Sequence, residues 1–91
     1  MEISKMLTVS TAHITQTTAE ILDDGVRDLI VYKKDEYGWF IVVPESDVIV
    51  HLWTVLPDMM TLLAFAKDLG CDWLCLDRDG EILEYMKSYE W

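Results

Sequence analysis

The apolar residues change period along the chain, and each change marks a predicted element. Over Lys5–Ser10, Leu7 and Val9 alternate with Thr8, a period of two that predicts a first strand. Thr15 is placed to cap a helix, with Ile14 and Ala19 spaced for a hydrophobic staple. Thr17 and Glu20 also have capping-box spacing, which leaves the start open by about two residues. Ile14, Thr18, Ile21 and Leu22 fall on one helical stripe, and Asp23-Asp24-Gly25 ends it, with Gly25 as the left-handed residue. Asp28–Lys33 is rich in β formers and predicts a second strand. Lys34–Gly38 is a turn, and Trp39–Val43 a third strand stopped by Pro44, so the two strands form an antiparallel hairpin. Trp39–Val43 is apolar throughout, which predicts an interior strand covered on both faces.

Residues 45–56 carry conflicting signals. Val48–Trp53 is β-branched and reads as extended after a turn at Glu45-Ser46-Asp47, although Ser46 is equally placed to cap a helix. The extended reading is preferred. Pro57 opens the clearest helix, with Asp58 in the first turn where it suits the dipole. Met59, Leu62, Leu63, Ala66 and Leu69 form its apolar face, Met60 and Phe65 widen that face, and Gly70 stops the helix. Asp72–Asp77 is a further strand. Asp77-Arg78-Asp79-Gly80 then turns the chain into a last strand at Glu81–Met86. The expected fold is a single α+β domain over 1–91, an antiparallel or mixed sheet of four to five strands with two helices, in the order β-α-β-β-(β)-α-β-β.

Charge sharpens this picture. The net charge is −10, and residues 1–34 contribute −1 of it while residues 35–91 contribute −9. A field of that sign attracts basic protein surfaces and repels nucleic acid and anionic lipid. The expected partner is a protein with a basic surface, with no direct nucleic-acid binding and no membrane. Solubility alone is the plainer use of the same charge. The first residues lack a basic segment followed by an apolar one, and no apolar stretch is long enough to span a bilayer. Cys71 and Cys75 lie four positions apart, about 13 Å on a strand, too far for a disulfide. Reduced thiols and the absence of a leader predict a cytoplasmic protein.

Candidate chemistry is sparse. Leu74-Cys75-Leu76-Asp77-Arg78-Asp79-Gly80 resembles the apolar strand and D-x-D-G of haloacid-dehalogenase-type phosphatases, where the first Asp is the nucleophile and the second an acid–base. Glu81 replaces the phosphate-holding Thr, and too little chain follows for the remaining motifs, so the string reads as a charged turn. Asp77, Asp79 and Glu81 also alternate like half of a calcium loop, but without its helices or distal Glu. His13, His51, Cys71 and Cys75 match no zinc spacing. No catalytic residue, metal or cofactor is expected. His13 follows Ser10-Thr11-Ala12 at a strand-to-helix junction, where polar residues either line a site or satisfy backbone groups. The candidate binding residues are His13, Asp72, Asp77, Asp79, Glu81 and Glu84. The terminal Ser88-Tyr89-Glu90-Trp91 is either tucked onto the domain or offered to a partner.

Taken together, Ser10-Thr11-Ala12-His13-Ile14-Thr15, Tyr37-Gly38-Trp39-Phe40, Gly70–Leu74, Leu76–Gly80 and Tyr89-Glu90-Trp91 resemble an uncharacterised family of small acidic proteins carried on bacterial plasmids, integrative elements and phages. Residues 45–56 depart from that pattern. The resemblance implies an accessory role in a bacterial or phage setting and transfers no site. Three readings follow. The first is a non-enzymatic acidic binding protein, an accessory regulator or inhibitor of a basic host protein, with DNA-like charge by analogy. The second is a small-molecule or divalent-metal activity where Ser10–His13 meets Asp77–Glu81. The third is a homodimer that buries aromatic surface.

Overall fold

The computed structural model describes residues 1–91. Four strands, β1 (Met6–Ser10), β2 (Val31–Lys34), β3 (Gly38–Val42) and β4 (Trp73–Asp77), form one sheet in the order β1-β4-β3-β2. β1 runs parallel to β4, while β3 is antiparallel to both β4 and β2. The helices are α1 (Gln16–Asp24), α2 (Ser46–His51) and α3 (Pro57–Asp68), with 3₁₀ turns at Thr11–His13 and Leu52–Thr54. The α+β class and the mixed four-stranded sheet agree with the expectation; the count of helices is three rather than two.

Register explains which residues make the core. Leu7 pairs with Leu74, Val9 with Leu76, Trp39 with Leu76, and Ile41 with both Leu74 and Val31. These side chains share one face, because strand side chains alternate. They pack with Ile14, Ala19 and Leu22 from the α1 region, Ile49 and Leu52 from the α2 region, and Met59, Leu62 and Leu63 from α3. The opposite face, with Met6, Thr8, Tyr32, Phe40, Val42, Trp73 and Cys75, contributes nothing to that cluster. β3 is an interior strand as predicted, but its apolar run is packed by helices on one face only. Phe40 and Val42 are half-buried on the bare face, where the Tyr32 and Trp73 rings meet at a tilt of 41° with centroids 6.0 Å apart.

Three local expectations are corrected. Within residues 45–56 the chain is helical over Ser46–Thr54, with Ser46 inside α2 and Glu45 at its N-cap position. Burial overrides the β-branched propensity: Ile49 and Leu52, three apart, both enter the core, with Asp47 in the first turn and His51 in the last. The second strand begins at Val31, because residues 26–29 form a turn closed by Leu29 N–H donating to the Val26 carbonyl at 3.2 Å. The last strand over Glu81–Met86 does not form. β4 already has β1 on one edge and β3 on the other, so the Asp77–Gly80 turn has no free edge to return along. The chain crosses instead past the end of β1, where Ser10 N–H donates to the Glu81 carbonyl at 2.9 Å.

α1 and α3 meet each other through a polar link that periodicity alone does not show. Thr15 caps α1 by accepting the Thr18 N–H at 3.1 Å, as predicted. Asp58, at the start of α3, accepts from the Thr15 N–H at 2.9 Å, the Thr18 hydroxyl at 3.0 Å and its own neighbour Met59 N–H at 3.0 Å. One carboxylate therefore serves the free donors at the N-termini of two helices.

Gly38 marks the tightest backbone approach, since a Cβ there would lie 1.7 Å from the Leu76 carbonyl oxygen. Gly70 has a φ of 75° but open space around it. Gly38→Ala is expected to cost more than about 3 kcal/mol, and Gly70→Ala roughly 1–2 kcal/mol from its left-handed backbone alone. Urea unfolding of the two variants checks the order; a milder loss at Gly38 than at Gly70 contradicts this packing.

Candidate functional site

The six residues singled out from the sequence divide by what holds them. His13 is buried, at 3% exposure, and uses both ring nitrogens within the chain. The Lys87 carbonyl lies 2.8 Å from Nδ1 and can only accept, so Nδ1 donates. The Leu83 N–H lies 2.9 Å from Nε2 and can only donate, so Nε2 accepts. The partners thus assign the Nδ1–H tautomer, and the ring is a staple for the C-terminal segment rather than a free ligand or base. Tyr89 N–H to the Ala12 carbonyl at 2.7 Å and Trp91 Nε1–H to the Ile14 carbonyl at 2.8 Å complete the attachment. The terminal aromatics are tucked onto the domain.

Asp72 and Asp77 are also engaged. Asp72 accepts from the Lys5 N–H at 3.1 Å beside the start of β4. Asp77 stands at the other end of the strand, about 16 Å away for five residues of extended chain. Its carboxylate takes an ion pair from Lys34 and the Asp79 N–H at 2.8 Å. The turn that resembled a phosphatase motif is thus an Asx turn locked to the β2–β3 hairpin. No group of three His, Cys, Asp or Glu side chains is arranged to hold a metal ion.

Asp79, Glu81 and Glu84 remain exposed, and their carboxylates make no ion pair or hydrogen bond within the chain. Between them Ile82 and Tyr85 are exposed at 56% and 73%. The segment is nevertheless fixed, through the Glu81 carbonyl, the Leu83 N–H and an edge-on contact of Tyr85 with Phe65 at 5.9 Å. It forms a ridge that carries the acids Asp79, Glu81 and Glu84 beside the apolar side chains of Ile82 and Tyr85.

Beside the ridge, the Ser10–His13 and Asp77–Glu81 segments adjoin through the Ser10 N–H to Glu81 carbonyl bond. A cleft of about 600 Å³ opens there, at the carboxyl ends of the parallel strands β1 and β4. α1 supplies Gln16, Ala19, Glu20 and Asp23 to it, the hairpin supplies Tyr37 and Trp39, and the C-terminal segment closes it with Tyr89 and Trp91. His13, Asp77, Asp79 and Glu81 are not among its walls. The far wall is a linked trio. Asp23 accepts from Lys33 Nζ and from Trp39 Nε1, both at 2.9 Å, and Lys33 Nζ sits 4.4 Å from the Trp39 ring centroid. The hydrogen bond from Lys33 holds the Asp23 carboxyl below its ordinary range. The sequence signal for this cleft was the i, i+3, i+4, i+7 spacing of Gln16, Ala19, Glu20 and Asp23, which reads as a solvated helix face until the C-terminal segment is placed over it.

The Lys34–Asp77 pair carries a pH signature. The hydrogen bond from Lys34 lowers the Asp77 pKa below 3.8, with help from the Asp79 N–H, and the same contact raises Lys34 above 10.5. A lowered carboxyl pKa contributes stability above its unfolded value and loses it as pH falls through the folded one. A raised ammonium pKa contributes stability below 10.5 and loses it as pH rises through the folded value. The stability gap between the wild type and Lys34→Met is therefore expected to be flat between these limits. It should close on acidification below about pH 4. Urea midpoints across pH check this, and a gap unchanged at low pH contradicts the ion pair.

No curated protein and no solved structure matches the chain. Residues 6–91 match the model for the C-terminal domain of a family of unknown function, DUF5983, and the chain belongs to that family.

Proposed function

We propose that the protein is a non-enzymatic binding module that engages a basic surface of another protein through the ridge Asp79–Tyr85. The observation that carries this reading is the division among the acids. Asp72 and Asp77 neutralise internal donors, whereas Asp79, Glu81 and Glu84 stand free around Ile82 and Tyr85. Carboxylates steer a basic partner and apolar side chains between them supply contact area once it arrives. That pattern favours a mixed acidic and apolar epitope over an even array of DNA-like charge. The resemblance to proteins of plasmids, integrative elements and phages fits an accessory regulator or inhibitor of a basic host protein, acting in the cytoplasm.

Capture from bacterial lysate tests this. Immobilised wild type is compared with the triple variant Asp79→Asn, Glu81→Gln, Glu84→Gln. A basic partner retained by the wild type should be lost from the variant, and its affinity should fall steeply with salt. Equal retention by both, or retention insensitive to salt, contradicts the ridge.

A second reading is favoured by the bare sheet face. Tyr32 and Met6 are exposed there at 54% and 44%, beside half-buried Phe40 and Trp73. An apolar sheet face of this kind is buried by self-association in many small domains. Light scattering at rising concentration is expected to show a dimer that Tyr32→Lys dissociates. A monomer throughout ends this reading.

A further inference from the structure

We infer that the cleft between α1, the β2–β3 hairpin and the C-terminal segment receives a guanidinium group, the arginine side chain of a basic partner. The inference deepens the binding-module reading and rests on it. Two of the cleft's rings already carry cations of the chain itself. Lys33 lies over Trp39, and Arg78 lies over Tyr37 with its guanidinium carbon 4.7 Å from the ring centroid. These contacts show which chemistry the aromatic walls accept. The two cations are held differently. Lys33 is tied to Asp23 at 2.9 Å, whereas Arg78 meets only Glu36, at 3.9 Å, and its side chain is 53% exposed. Arg78 is thus a loosely seated occupant of an aromatic and acidic site, and an incoming guanidinium can take its place.

Charge and shape select the class further. The cleft is lined by three acids, Glu20, Asp23 and Glu36, and two bases, Lys33 and Arg78, so it has one carboxylate in excess. Asp23 pairs with Lys33 and Glu36 approaches Arg78, which leaves Glu20 without an internal partner. An anion would find both cations already neutralised, and a bare metal ion would find rings instead of oxygen ligands. The remaining wall comprises Tyr89 and Trp91. The Trp91 indole is oriented by its bond to the Ile14 carbonyl, and the residue is 55% exposed. A flat, weakly hydrated guanidinium stacks on such a ring and forms paired hydrogen bonds to a carboxylate, which a lysine ammonium does less well.

The test titrates Nα-acetyl-arginine amide into the full chain and follows tryptophan fluorescence, with the indole N–H resonance of Trp91 as a second readout. Nα-acetyl-citrulline amide serves as the neutral isostere. Saturable binding of the arginine probe is expected, with the citrulline probe at least roughly tenfold weaker. Glu20→Gln should weaken the arginine probe by about tenfold, while Asp68→Asn, at the far end of α3, leaves it unchanged. Equal binding of the two probes, or an unchanged response in a Glu20→Gln protein with native circular dichroism, overturns the inference. If the arginine probe fails while ridge-dependent capture of a basic partner persists, the cleft assignment falls and the binding module stands. If the probe binds through Glu20 but no basic partner is captured, the cleft stands and the module reading falls.

Discussion

The imidazole of His13 holds two distant stretches of chain in one arrangement. It sits just after β1, and its partners, Leu83 and Lys87, lie 70 and 74 residues later. The ring itself is buried, and each bond needs a particular nitrogen in a particular state, so the ring tolerates no substitute of similar size that lacks one acceptor and one donor. The ridge and the cleft both depend on this staple. Glu81, Ile82 and Glu84 flank the Leu83 amide, and Tyr89 and Trp91 reach the cleft only because the chain has been turned at Lys87.

The staple is required because of the sheet order. With β4 enclosed by β1 and β3, the last eleven residues cannot extend the sheet and have few backbone partners of the regular kind. Side chains and isolated backbone bonds take over that task, namely His13, the Tyr89 amide and the Trp91 indole. One face of the sheet has no helical layer. All three helices stand on the side of Leu74 and Leu76, and the Asp58 carboxylate ties the starts of α1 and α3 together there.

The sequence made local elements legible where one period dominated. The alternation of Leu7, Thr8 and Val9, the Thr15 cap, the hairpin around Gly38 and the proline-led α3 all formed close to where they were expected. It misled where propensity and burial disagreed. Val48-Ile49-Val50 favours a strand intrinsically, but Ile49 and Leu52, three apart in a helical frame, reach the core. The final strand failed for a non-local reason, because no reading of Glu81–Met86 reveals that both edges of β4 are taken. The site was legible in part. The acids of the final turn stand out in the sequence, but their roles diverge: Asp77 binds Lys34, whereas Asp79 and Glu81 face solvent. The sequence leaves His13 open between a site and a backbone partner, and the geometry places it with the backbone. The cleft was hidden, since its walls come from four separate segments and its aromatic closure lies at the end of the chain.

Nitrogen-resolved NMR of the His13 ring, read together with exchange of the Leu83 amide, is the most direct measurement. The geometry predicts a proton on Nδ1, a bare Nε2 coupled to the Leu83 N–H, and a Leu83 amide that exchanges far more slowly than that of Glu84. An Nε2–H tautomer, or a Leu83 amide exchanging as fast as an open loop, would contradict the pinned C-terminal segment and with it the placement of both ridge and cleft.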